Sequence, residues 1–368
     1  MQARRIVFGS QGAELREYPL RSLRRGEILV KSRCSLVSIG TETTLYLGDR
    51  WGADAATHET DDPEVDEWGF DDYGGGDTWD MARNRRFPGY AIAGDVIDVG
   101  EGVDDYLPGD RVVVLHHHAD YAIVPTHPSI TLPIPDDVSY EAATLCVLGS
   151  VSLHAIHRAD IKLGDDVVVM GAGLVGLLAM QLARLSGAGP VIAVDLSPER
   201  LAVALRVGAD HVIDPRNGDL VESVRAFLGG SGTGCTIEAV GNPAVLQACM
   251  QVSAPGARVV VMGAIVGKVE LDLYSEFVFR ELTLIAAQQP RNPVEESIYY
   301  RYTGQRNRRT MLSLIARNVI NVDDLLTHRF KAEDAPRVYQ LLGAAKTADY
   351  DAQGDVNREM IGVIFEWS

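Results

Sequence analysis

The chain has 368 residues, 46% of them hydrophobic and 23% charged, a composition typical of a globular protein with about two domains. Lys and Arg number 34 against 51 Asp and Glu, a net charge of −17, which argues against nucleic acid or an anionic membrane as the main partner. No apolar run is long enough for a membrane span or a signal peptide, and four scattered cysteines indicate a reduced, cytoplasmic protein.

The first part of the chain contains short β-rich runs separated by glycine and proline. They are EILVKSRCSLV, YAIAGDVIDVGEG and GDRVVVLHHHADYAIVP, and they predict an antiparallel, barrel-like domain. Between the first two lies an acidic segment, residues 49–80, that also holds several aromatic residues. We interpret it either as a solvated loop or as a lid in which Trp51 contacts a substrate.

From about residue 150 the pattern changes to strands alternating with helices. The strand and helix segments are DDVVVMGAGLVGLLAMQLARLSGA, PVIAVDLSPERLAVALRVGA, HVID, CTIEAVG, ARVVVMGA and LTLIAAQ. This alternation predicts an α/β fold with a doubly wound parallel sheet and helices on both faces. After residue 292 we expect a helix over ESIYYRYTGQRNRRTMLSLIARN, a strand at THRF, a helix over EDAPRVYQLLGAAK and a closing strand at MIGVIFEW.

A glycine-rich turn, GAGLVG at 171–176, stands between a predicted strand and a predicted helix. Such a turn lets the backbone approach a pyrophosphate at the helix N-terminus. Asp195 ends the next predicted strand, where an acid accepts hydrogen bonds from ribose hydroxyls and repels a 2′-phosphate, so the cofactor is predicted to be NAD. Arg200 either covers the adenine or is solvated. The predicted cofactor-binding residues are Gly171, Gly173, Leu174, Val175, Gly176, Asp195, Arg200, Val240 and Gly263.

These features resemble the medium-chain dehydrogenase/reductases, the zinc-type alcohol dehydrogenase superfamily. The resemblance is carried by 88–103, 107–114, the glycine turn with 194–201, 208–214, 238–243 and 327–336. It implies a GroES-like β-barrel catalytic domain made from 1–152 and 292–368, and a central Rossmann domain at 153–291. It also implies NAD in the cleft between the domains and a homodimer or homotetramer, often built through the Rossmann sheet edge.

The chain departs from this family where zinc-dependent members carry their catalytic metal ligands. By the resemblance those positions are Ile39, Tyr90 and Val147, the last beside Cys146, which is either a vestigial ligand or a small core residue. Since zinc needs nitrogen, sulfur or oxygen donors, we predict that no metal is bound. SLVSIGTE (35–42) and IGVIFEW (361–367) are similar to a zinc-less branch that includes bacteriochlorophyllide-type hydroxyethyl dehydrogenases.

Without zinc, side chains must hold the substrate oxygen and move its proton. By resemblance, Thr41 hydrogen-bonds that oxygen and begins a proton relay, unless it is an ordinary loop threonine. Tyr90 either donates a hydrogen bond to the oxygen or only packs in the vacated position. Glu42 is predicted to support the site from behind Thr41.

Three consecutive histidines, His116, His117 and His118, are predicted to lie on a strand, where only the first and third share a face. A metal cluster is disfavoured there. His118 is the candidate acid or base, since histidine titrates near neutral pH, and His116 is a candidate substrate contact.

These residues predict a zinc-independent, NAD-dependent oxidoreductase that interconverts a secondary alcohol and a ketone on a polar or cyclic metabolite. One alternative is a zinc-less quinone or enoyl reductase using NAD(P)H, which a preference for NADPH would favour. The other is a non-catalytic dinucleotide-binding protein, which tight NADH binding without turnover would favour. The expected partner is a small-molecule substrate, with neither nucleic acid nor membrane involved.

Overall fold

The computed structural model describes residues 2–48, 87–287, 293, 296–298, 300–347 and 359–368. The strands in these ranges are β1 (Gln2–Gly9), β2 (Gly12–Pro19), β3 (Glu27–Val37), β4 (Ile92–Val99), β5 (Arg111–Val114), β6 (Tyr121–Pro125), β7 (Thr131–Pro133), β8 (Val167–Met170), β9 (Val191–Val194), β10 (His211–Ile213), β11 (Thr233–Glu238), β12 (Ser253–Val261), β13 (Thr283–Ala286), β14 (His328–Lys331) and β15 (Val363–Glu366). The helices are α1 (Ile39–Tyr46), α2 (Tyr140–Ala159), α3 (Leu174–Leu185), α4 (Pro198–Arg206), α5 (Leu220–Leu228), α6 (Pro243–Val252), α7 (Gly304–Ala316) and α8 (Ala335–Thr347).

The middle of the chain forms a six-stranded parallel sheet in the order β10-β9-β8-β11-β12-β13. Its inner strands β8 and β9 are buried along their whole length, as expected for strands covered by helices on both faces. The strand order reverses between β8 and β11, which opens a crevice at the carboxyl ends of these strands. The predicted α/β fold with a doubly wound sheet is therefore confirmed.

The two ends of the chain build a second sheet together, in the order β14-β15-β3-β4-β5-β7, with β6 also paired to β3. Its pairings are antiparallel except between β14 and β15. Helix α2 packs against β3 of this sheet, against α3 and α7, and against β12 of the parallel sheet. One buried hydrophobic cluster extends through both sheets, including Ile92, Leu145 and Val169. The predicted domain boundary at residue 152 falls inside α2 and stays a prediction.

Three local features differ from the sequence expectations. The helix expected from residue 296 begins only at Gly304, after the N-cap Thr303. The tyrosines at 300 and 302 instead contact α2. The Tyr300 hydroxyl lies 3.2 Å from His154 Nδ1, and Tyr302 stacks on His157. The β1–β2 hairpin and α1 were not anticipated. Within the described ranges, no helix is both long and apolar enough to cross a membrane.

Candidate active site

The glycine turn between β8 and α3 is packed too closely against the protein for side chains at two of its glycines. Gly171 has φ +104°, and a Cβ there would lie 2.8 Å from Val240 Cγ2. A Cβ on Gly176 would lie 1.9 Å from the Gly171 carbonyl oxygen, so neither position accepts another residue without backbone movement. Gly173 is the N-cap of α3, whose first amides are free to bind an anion. The geometry fits the pyrophosphate of a dinucleotide.

Asp195 follows β9 directly and is tied to this turn. Its Oδ2 accepts the Ala172 N–H at 2.7 Å, and its Oδ1 accepts the Ser197 N–H at 2.8 Å. Arg200, one turn into α4, has Nη1 4.0 Å from where a Gly173 Cβ would stand, and its Nη2 donates to the Met360 carbonyl at 2.9 Å. The structure thus brings Asp195 and Arg200 to the glycine turn. Leu174 and Val175 lie in the first turn of α3.

A buried acid that sequence reasoning missed organises the other wall of the crevice. Glu238 ends β11, is fully buried, and accepts the N–H groups of Val240 at 2.9 Å and Gly241 at 2.7 Å. A Cβ on Gly263 would lie 2.4 Å from Glu238 Oε2, and burial raises the pKa of the Glu238 carboxyl. Glu238 therefore holds together the two loops that carry the predicted cofactor contacts Val240 and Gly263. The signal was the acid within CTIEAVG, a segment already predicted to be a strand.

Three hydroxyl groups converge at Tyr90, one of the three positions where a metal ligand of zinc-dependent relatives is expected by the resemblance. The Tyr90 hydroxyl donates to Ser38 Oγ and also hydrogen-bonds the side chain of Thr41. Tyr90 is 8% exposed, and burial raises the pKa of its phenol above the ordinary value. Tyr90 is therefore protonated at neutral pH and suited to donating a hydrogen bond.

The same region does not fit a catalytic zinc. Ile39 and Val147 have no donor atoms, and the Tyr90 hydroxyl is engaged by two neighbouring hydroxyls. Over the described parts of the chain, no cluster of three or more His, Cys, Asp or Glu could hold a metal ion. Cys146 is fully buried, and burial raises the pKa of its thiol to about 12.

Behind the hydroxyls, Glu42 and His118 form a buried pair. His118 Nε2 lies 3.0 Å from Glu42 Oε2, and His118 Nδ1 lies 2.7 Å from Ser35 Oγ. The carboxylate also accepts the Ser38 N–H at 2.6 Å and the Tyr339 hydroxyl. His118 is 0% exposed and Glu42 is 1% exposed. Both ring nitrogens of His118 are therefore engaged within the protein, and its direct contact with substrate stays a prediction.

The prediction that the three histidines continue a strand is wrong. Strand β5 ends at Val114 because the next backbone amides bond to loops: Leu115 N–H to the Ile130 carbonyl, and His118 N–H to the Pro88 carbonyl. The ring of His116 lies 4.0 Å from that of its neighbour His117, so these two side chains are adjacent and do not alternate.

Two residues, His116 and Trp51, are predicted to contact the substrate. His116 is 6% exposed, and burial lowers the pKa of its imidazole to about 4; its contact with substrate stays a prediction. Trp51 and the acidic segment 49–80 lie outside the described residues.

Known proteins resemble this chain along most of its length. Residues 175–298 match a family model described as zinc-binding dehydrogenase. A D-xylulose reductase of Scheffersomyces stipitis is 30% identical over 305 residues, covering 71% of this chain and 80% of that protein. An L-threonine 3-dehydrogenase of Pyrococcus furiosus is 27% identical over 372 residues, covering 91% of this chain and 93% of that protein. The crystal structure of 2R,3R-butanediol dehydrogenase from Bacillus subtilis shares the fold, with a TM-score of 0.75, 22% identity and 100% coverage of both chains.

Proposed function

The chain belongs to the zinc-binding dehydrogenase family of medium-chain, alcohol dehydrogenase-like oxidoreductases, and we propose that it works without a catalytic zinc. Its reaction is the interconversion of a secondary alcohol and a ketone on a polar or cyclic metabolite, with NAD as the hydride carrier. The observation that carries this proposal is the trio of hydroxyls from Ser38, Thr41 and Tyr90, since Tyr90 holds a position that, by the resemblance, carries a metal ligand in zinc-dependent relatives.

The preference for NAD over NADP is supported by Asp195. Its carboxylate is fixed at the end of β9 by two backbone amides, in the position where the adenosine ribose of a Rossmann-bound dinucleotide lies. A carboxylate there accepts hydrogen bonds from ribose hydroxyls and repels the additional phosphate of NADP. The bound nicotinamide would supply the hydride chemistry.

The hydroxyl trio would do the work that the metal does in relatives. In the reduction direction the carbonyl carbon accepts the hydride, and the Tyr90 hydroxyl turns from Ser38 to the carbonyl oxygen and gives that oxygen its proton, while Thr41 orients the oxygen. Ser38, hydrogen-bonded to Tyr90 in the structure, then returns a proton to Tyr90, and solvent restores the proton of Ser38. Preorganised donors aimed at a developing oxyanion stabilise the transition state without a metal.

Replacing Tyr90 by Phe tests this assignment. Turnover of NAD with a panel of cyclic and polar secondary alcohols should fall by about a hundredfold or more, the range for losing a general acid, while NADH binding is unchanged. Tyr106→Phe is the matched control, because Tyr106 is also a buried tyrosine of this part of the fold and its hydroxyl donates only to the Thr131 carbonyl, at 3.4 Å. Full activity of Tyr90→Phe would refute the role.

Two outcomes with the native protein would favour the other functions. Tighter binding of NADPH than of NADH, with reduction of quinones or enoyl compounds, would indicate a zinc-less reductase of that class. Tight NADH binding with no turnover across alcohols, ketones, quinones and enoyl compounds would indicate a non-catalytic dinucleotide-binding protein.

The proposed assembly is a homodimer or homotetramer in which pairs of subunits meet through the edge of the parallel sheet. Strand β13 ends the sheet order, and five large apolar side chains in and just before it are exposed, among them Phe279 at 74%, Tyr274 at 68% and Leu284 at 44%. Exposed apolar patches of this kind mark interfaces. The four cysteines are buried and free, which suits a small-molecule enzyme of the reducing cytoplasm.

A further inference from the structure

The end of the chain reaches into the polar network behind the hydroxyl trio. The Trp367 indole N–H donates to Ser35 Oγ at 2.9 Å, and Ser35 Oγ lies 2.7 Å from His118 Nδ1. From the opposite side, the Tyr339 hydroxyl of α8 donates to Glu42 Oε2. Trp367 is 6% exposed, and Ser35 and Tyr339 are 0% exposed. Water therefore does not compete for these hydrogen bonds.

With Glu42 taken as ionised, the donor and acceptor types in this network assign its protons. An indole N–H only donates, so Ser35 Oγ accepts from Trp367 and its own proton is free for His118 Nδ1. An ionised carboxylate only accepts, so the His118 nitrogen facing Glu42 carries a proton. A neutral His118 with its proton on Nε2 and an ionised Glu42 thus satisfies every group in the network.

Glu42 connects this network to the proposed reactive groups. It lies on α1 directly after Thr41, and its Oε1 accepts the N–H of Ser38, the residue that caps α1. A Cβ on Gly89 would lie 2.6 Å from the His118 ring, so the imidazole also touches the backbone just before Tyr90. The network therefore includes or contacts the backbone at or next to each of the three hydroxyl-bearing residues, Ser38, Thr41 and Tyr90.

We propose that Trp367 and Tyr339 are positioning residues for the reaction, acting through His118 and Glu42 on the hydroxyls of Thr41 and Tyr90. In this role His118 holds Glu42 in place. This inference rests on the proposed function.

A structural role alone would not favour this arrangement. Buried polar groups cost free energy unless every one is paired, and an apolar core of the same volume is often as stable or more so. A fully satisfied network instead fixes one geometry. Here that geometry is the first turn of α1, one residue of which is the proposed oxygen-binding Thr41.

The test compares Trp367→Phe and Tyr339→Phe with the control Tyr106→Phe in the full-length protein. Tyr339→Phe keeps the ring and removes one donor, whereas Trp367→Phe removes the indole donor together with one of the two fused rings. We expect kcat to fall about five- to tenfold, the effect of one lost hydrogen bond, while KM for NAD and the Kd of NADH stay unchanged. The control should keep its kcat. A kcat for Trp367→Phe and Tyr339→Phe equal to that of the control would overturn the inference.

A second measurement does not depend on turnover. Nitrogen NMR of histidine-labelled protein, with the His118 signal assigned through His118→Gln, should show a neutral ring protonated on Nε2. In Trp367→Phe the Nδ1 resonance should shift, because Ser35 loses the donor that orients its hydroxyl. A His118 protonated on Nδ1, or an Nδ1 resonance that Trp367→Phe leaves unchanged, would overturn the network. If native protein turns over no substrate, the proposed function fails, and the NMR result still decides whether the network exists.

Discussion

Asparagine at position 195 should weaken the discrimination between the two nicotinamide dinucleotides. A phosphate about 4 Å from a carboxylate is repelled by about 4 kcal/mol at an effective dielectric constant of about 20, which corresponds to a preference for NADH of about a thousandfold. Asp195→Asn removes that charge while keeping the shape, so the preference should fall to about tenfold or less. The substitution also replaces one of the two oxygens that accept the Ala172 and Ser197 amides, which costs about 1–3 kcal/mol of folding stability.

The assay is a fluorescence titration of native protein and of Asp195→Asn with NADH and with NADPH, at one ionic strength. Urea unfolding of both proteins measures the stability cost separately. Arg200→Gln is the companion variant, since its guanidinium lies beside the same turn; it should weaken both cofactors alike. Native protein that binds NADPH as tightly as NADH would refute the reasoning about Asp195.

Three further predictions concern stability and assembly. Gly89→Ala should destabilise the fold by about 3 kcal/mol in urea unfolding, because a Cβ at φ +94° meets the His118 ring at 2.6 Å. The control Gly109→Ala, at φ +101° with nothing within 4 Å, should lower the free energy of unfolding by only about 1 kcal/mol. Equal losses in the two variants would contradict the steric argument. Burial lowers the pKa of His116 from 6.5 to about 4, so the contribution of neutral His116 to stability is present above pH 6.5 and is lost as the pH falls towards 4. His116→Gln should therefore reduce the fall in unfolding free energy between pH 6.5 and pH 4. An unchanged slope in that pH range would contradict this role of His116. Phe279→Asp should convert a dimer to a monomer in light scattering, and an unchanged mass would exclude this surface as the interface.

The cofactor side of the site was predictable because its determinants are local in sequence. The three glycines at 171, 173 and 176 lie within one turn, and at Gly171 and Gly176 a side chain would meet neighbouring protein atoms. Asp195 comes at the end of the next strand, so the order of elements alone brought it to the turn. The parallel sheet was equally readable, since buried strands such as β8 are uniformly apolar.

The reactive side depends on contacts between distant parts of the chain. Trp367 and Ser35 are 332 residues apart, and Tyr339 and Glu42 are 297 apart, so neither pairing leaves a pattern in the sequence. Ser38 escaped notice because α1 was not predicted and because Tyr90, the residue that makes Ser38 part of the site, lies 52 residues further along the chain. The strand predicted over the three histidines was wrong because the β-rich run in the sequence continues past Val114, whereas the backbone after Val114 hydrogen-bonds to loops.

The metal content of active protein tests zinc independence most directly. Tag-free protein, dialysed with NAD present, would be analysed by elemental mass spectrometry and assayed before and after chelation. We predict no bound zinc and undiminished turnover after chelation, because Ile39 and Val147 offer no ligand atoms. One zinc per subunit that turnover requires would contradict the proposed hydroxyl chemistry and would make Cys34, Cys146 and the histidines at 116–118 candidates for its ligands.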